Sequence, residues 1–160
     1  MDVPAVVLAI VLAETAVGGL VFLWFAPTWG AVRHGYEILL GSTLALMAWG
    51  ASASLRVPLE TTVERSPELA GPAQQLETAV FATAVLATAS VVALAVRAAG
   101  IGRWTGVAAT AAGLASFVPF AILRAERLGE GGAGIASGIV ELVAGAFLLG
   151  AIWDGMVLGH

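Results

Sequence analysis

Five stretches of roughly 20 residues, each almost free of charge, dominate this chain of 160 residues and leave it one class of fold. An apolar run of that length crosses the ~30 Å hydrocarbon core of a bilayer as a helix, because only a helix or a closed barrel satisfies its backbone there. Charge is scarce for a soluble domain: 11% of residues are Asp, Glu, Lys or Arg, where roughly 25% is ordinary. The charges that exist sit mostly between the apolar runs. The expected fold is all-α, a polytopic integral membrane protein with a five-helix transmembrane bundle and short loops, forming a single membrane domain over 1–160.

The spans are predicted at 3–26, 36–55, 76–96, 104–123 and 134–158. Between the second and third lies the longest predicted loop, Arg56 to Gln75. Within it Ser66-Pro67-Glu68 reads as a helix start and Gly71-Pro72 as the launch of the next long helix. The link from Arg97 to Arg103 makes spans three and four an antiparallel hairpin. Pro119 removes a backbone bond to Ala115 and predicts a kink. The glycine-rich stretch 129–134 lacks the strand and the Gly-Lys-Ser/Thr of a phosphate loop, so it reads as a connector.

Met1-Asp2-Val3-Pro4 offers no basic n-region, so the first span is read as retained, not as a cleaved signal. The chain stops at His160 directly after a span with no polar tail, as a sequence continuing beyond that residue would. Arginines divide four against three between the two sides, too even for the positive-inside rule to decide, and a cytoplasmic N-terminus is the orientation expected. The setting expected is a prokaryotic cell membrane. Trp24, Trp29, Trp104 and Trp153 fall near predicted interfaces, where an indole keeps its N–H wet, and Trp49 is expected to pack between helices.

Absences exclude several chemistries. Without cysteine there is no cysteine-ligated iron–sulfur cluster and no c-type haem attachment. The seven basic residues are all arginine, so a retinal Schiff base is excluded. A net charge of −4 gives no footprint for nucleic acid. No catalytic motif is present, and the chain is expected to be non-enzymatic.

Four acids stand out. Glu14 lies at the middle of span one, where a charge costs about 2.5–3.5 kcal/mol on the insertion scale, so the position demands a partner or a proton. Gly18 follows one turn later and lets another helix approach. It is either a proton-relay or ligand carboxyl, or a neutral acid bonded across the bundle. In span five Gly134, Gly138, Glu141 and Gly145 share a helical stripe, which predicts Glu141 inside a helix–helix seam. Asp154 is expected on a different face, in line with Gly150. Glu37 follows His34 by one turn, so the pair shares a face of span two, as metal ligands or with the carboxylate orienting the imidazole. A di-iron site is rejected, since it needs two Glu-x-x-His helices.

Four spans separate His34 from His160, so both imidazoles emerge on one side. They are therefore candidate ligands for a b-type haem or a quinone, if spans two and five are neighbours with room at Gly41 and Gly155. Three functions follow. The first is a helix-only subunit of a larger membrane assembly handling electrons or protons, joined to other subunits or to copies of itself. The second is an electron carrier with haem b or quinone at His34 and His160. The third is a small proton or solute transporter or channel built around Glu14 and Glu141. Five spans do not divide into equal inverted repeats, which counts against the usual transporter plan.

Overall fold

The structure, a computed structural model, describes residues 3–25, 34–129 and 131–158. Trp29 and His160 lie outside the described residues. All five expected spans are helices long and apolar enough to cross a membrane: α1 (Val3–Phe25), α2 (His34–Arg65), α3 (Ala70–Ala95), α4 (Ala99–Leu128) and α5 (Gly132–Leu158). Neighbours in the chain pack side by side, α5 closes against α1, and α1 also reaches α4.

Three helices outrun the spans read from hydropathy, because hydropathy marks the part that must sit in lipid and not where backbone bonding stops. The loop expected from Arg56 to Gln75 is the clearest correction. Helix α2 continues to Arg65, a single 3-10 turn follows at Pro67–Leu69, and α3 begins at Ala70. Pro58 is accommodated inside α2 despite its missing N–H, and the hydroxyls of Thr61 and Thr62 both donate to its carbonyl oxygen. Pro67 occupies the first position of the 3-10 turn, as expected, but Ser66 makes no side-chain cap.

The expected link from Arg97 to Arg103 is likewise shorter. Helix α4 begins at Ala99, and Gly102 already lies within it, its carbonyl accepting from the buried Ser90 hydroxyl. Helix α4 ends at Gly129, whose φ of 69° is the left-handed conformation that glycine adopts without a Cβ penalty.

The core alternates large and small side chains. Val17, Leu55, Leu76, Phe117 and Phe120 pack with Ala9, Ala13, Ala51 and Ala146 in one cluster, and Leu20, Leu23, Leu40 and Leu44 pack with Ala87 and Ala109 in another. Lipid exerts no hydrophobic pressure between helices, so close approach over small residues holds such a bundle together. Helix α1 is the most enclosed, with half of its span buried, whereas 22% of the α5 span is buried.

Candidate functional site

The site starts from the face of α1 that carries Glu14 and Gly18. A Cβ built on Gly18 would stand 1.7 Å from the carbonyl oxygen of Ala146, so α1 and α5 meet backbone to backbone. One turn towards the N-terminus of α1, the Glu14 carboxyl lies over Gly145, where a Cβ would come 2.7 Å from its Oε1. Glycine at both positions lets the two helices close around a carboxylic acid near mid-span.

That carboxyl does not pair within the bundle. No hydrogen-bond or ion-pair partner reaches Glu14 among the described residues, and the neighbouring Thr15 hydroxyl donates to Val11 instead. Glu14 opens into a cavity of about 350 Å³ to which all five helices contribute. Its walls are apolar: Val6, Val7, Ile10, Leu55, Leu59, Leu76, Phe120, Leu123 and Leu142. The stretch of α1 from Val6 to Glu14 spans about 12 Å at 1.5 Å per residue. The cavity therefore runs from the end of the bundle to the middle of the span.

Arg124, Arg127 and Glu141 also line it, and the Arg124 guanidinium donates to the Glu141 carboxylate. Glu141 is not inside the seam, as expected from the sequence, but 56% exposed at its side chain. The buried residues of α5 recur every fourth position, Gly138, Leu142, Ala146, Gly150 and Asp154. Glu141 precedes Leu142 by one residue and so sits about 100° round the helix. Asp154, expected on a different face from the seam, lies on this buried stripe and is 5% exposed.

A polar pocket of about 250 Å³ adjoins the cavity and shares Leu123 and Arg127 with it. Thr61, Thr62, Arg65, Ser66, Glu68 and Glu126 complete its lining. Among the described residues these two linings bring together three arginines, Arg65, Arg124 and Arg127, and three glutamates, Glu68, Glu126 and Glu141, and a third pocket that shares Leu59 with the cavity adds Arg56, Glu60, Glu64 and Glu77.

The other end of the bundle holds the remaining candidates. His34 and Glu37 approach to 3.7 Å, with His34 half exposed, and Glu37 lines a pocket of about 240 Å³ with Arg103, Trp24 and Leu94. Among the described residues no cluster of three or more His, Cys, Asp and Glu side chains is arranged to hold a metal ion. The haem expected at His34 and His160 falls outside the described residues, because His160 does. Helix α1 packs against both α2 and α5, and the notch at Gly41 faces Val91 of α3 and Leu23 of α1.

Asp154 instead accepts a hydrogen bond from the Tyr36 hydroxyl. Sequence reasoning missed Tyr36, although the parity that puts His34 and His160 on one side puts Tyr36 and Asp154 there too. It also missed Arg124 as the partner of Glu141, which a short antiparallel turn brings to the same depth. The tryptophans divide unexpectedly. Trp104 is exposed, but the Trp24 and Trp153 indole N–H groups are buried and have no partner among the described residues. Trp49 is 38% exposed on the outer surface, donating to the Thr88 hydroxyl at 3.1 Å and meeting Phe81 edge-on. Compared with known protein families, curated proteins and solved structures, the chain matches none.

Proposed function

We propose that the chain is a small proton carrier of the membrane, in which the Glu14 carboxyl takes up and releases the proton. One observation carries this reading: an unpaired carboxyl near mid-span is reached through a cavity from one end of the bundle. Acids inside membrane spans are costly and recur along ion and proton paths. The groups that face it are few. Helices α2 and α3 contribute only Leu55, Pro58, Leu59 and Leu76 to the cavity, α4 contributes Arg124 and Arg127, and α5 contributes Glu141. Arg124 is committed to Glu141, which leaves Glu14 to exchange protons with whatever enters.

The test is proton flux into liposomes that hold the purified chain and a pH-reporting dye, driven by a potassium diffusion potential. Flux above that of empty liposomes, lost in Glu14→Gln, is the expected result. Equal flux in the two proteins, or none in either, removes the reading.

A second reading, membership of a larger membrane assembly, is favoured by α5. Its outer face carries Val140, Phe147, Leu148, Ile152 and Met156, all exposed, beside the Arg124–Glu141 pair. Purification in mild detergent tests it: a stoichiometric second subunit supports assembly, and an isolated monomer argues against it.

A further inference from the structure

We infer that the cavity takes an apolar molecule bearing one positively charged nitrogen, which enters from the α4–α5 end and places that charge on Glu14. The inference rests on reading Glu14 as the exchanging group of the cavity and names what competes with the proton there.

Charge matching selects the ligand. At the mouth the described residues set four arginines against six glutamates, so the vestibule does not favour an anion. Past the mouth the walls are aliphatic or aromatic, and they favour apolar surface at about 25 cal/mol per Å² removed from water. At the deep end stands one ionisable group without a counterpart among the described residues. An anionic ligand would bring like charge to it in a medium of low dielectric, where such repulsion is strong. An uncharged ligand gives the acid no reason to ionise and leaves it holding its proton, so it gains nothing from the one ionisable group in the cavity's depth. A cation alone satisfies both the walls and the carboxylate. The volume, about 350 Å³, suits a compact body with one ring or a short branched chain.

The same geometry makes cation and proton exclusive. Glu14 has Gly145 against its carboxyl, and a Cβ there would already crowd both oxygens. A cation seated on the open side therefore meets the ionised acid, and a proton taken by that acid releases the cation. One proton leaves for each cation bound, which is the stoichiometry of an exchanger.

Three probes of nearly one shape separate the terms: phenyltrimethylammonium, its uncharged carbon isostere tert-butylbenzene, and benzenesulfonate. Binding is measured by titration calorimetry on the full chain in lipid nanodiscs, with empty nanodiscs subtracted. The cation should bind about tenfold or more tightly than the isostere, as charge pairing away from bulk water implies, and the sulfonate should not bind. Lowering the pH should weaken the cation alone, with one proton released per cation in buffers of different ionisation enthalpy. Glu14→Gln should bring the cation down to the isostere and abolish the pH dependence.

Should Glu14→Gln fail to fold, Glu14→Asp draws the carboxylate back by one methylene. It should weaken the cation several-fold and leave the isostere unchanged. Equal affinity for cation and isostere, binding of the sulfonate, no binding at all, or a cation indifferent to both variants overturns the inference. Cation binding in a chain that passes no protons keeps the ligand class and removes the carrier. Proton flux with no cation preference does the reverse.

Discussion

Gly18 and Gly150 cross so closely that a Cβ added to Gly150 would lie 2.3 Å from the carbonyl carbon of Gly18. The obstacle is backbone on both sides, so no side chain can move to make room. Gly18→Ala or Gly150→Ala must push α1 and α5 apart and should cost about 1–3 kcal/mol or more, the ordinary range for overpacking. Gly155→Ala is the control, because no atom lies near the Cβ it would add. Unfolding midpoints in detergent should fall for the first two variants and hold for the third. Equal midpoints would mean that the α1–α5 seam is looser than these contacts require.

Gly145 gives a subtler case on the same seam. A Cβ there meets the far end of the Glu14 side chain, which can swing aside, instead of a backbone. Gly145→Ala should therefore keep the fold within about 1 kcal/mol while displacing the carboxyl. The measurements are the unfolding midpoint, which should hold, and Glu14-dependent proton flux, which should fall. A midpoint that collapses with the flux would show that Gly145 is needed for packing and not for placing the acid.

Charge at Glu14 itself separates a closed site from an open one. Glu14→Gln keeps the shape and hydrogen-bonding capacity of the side chain, so insertion and folding should match the parent. Glu14→Lys places an ammonium among aliphatic walls at mid-span, where the insertion scale puts the cost at about 2.5–3.5 kcal/mol. Membrane yield and the detergent unfolding midpoint should drop for lysine alone. Lysine tolerated as well as glutamine would mean that water fills the cavity.

The fold was legible because it follows from apolar runs alone, and each of the five spans became a helix. The site was only half legible. Glu14 announced itself, since a charge surrounded by apolar residues needs no neighbours to be unusual. Glu141 was placed wrongly because a stripe of glycines at 134, 138 and 145 spans a wide arc, and one residue of offset turns a side chain from seam to rim. The cavity was invisible, because its walls come from all five helices and their relative rotation is not written in any one of them. The end of α2 was misplaced because the apolar run stops before Arg56 while the backbone bonding runs on to Arg65, through Pro58.

The Arg124–Glu141 pair is roughly half exposed on each side, so its contribution to stability should be small, about 0–1 kcal/mol. Glu141→Gln should leave the unfolding midpoint nearly unchanged, and the reversed pair Arg124→Glu with Glu141→Arg should behave like the parent. A large loss in either would place the pair in a drier setting than its exposure indicates.

The most exacting stability test lies at the other end of the bundle. Asp154 is 5% exposed and accepts from the Tyr36 hydroxyl, the one side-chain donor the described residues give it. Tyr36→Phe keeps the ring and deletes that donor, leaving a buried carboxyl unsatisfied at a cost of about 1–3 kcal/mol. Tyr36→Phe combined with Asp154→Leu removes both partners and replaces them with apolar groups of similar size. The double variant should recover most of the loss, because the penalty belongs to the orphaned carboxyl and not to the absent bond. Unfolding midpoints for the two single variants and the double variant form a cycle that isolates the coupling between the two side chains. A double variant as unstable as the sum of the singles would mean that Tyr36 and Asp154 act separately, and the short contact between α2 and α5 would then hold nothing together.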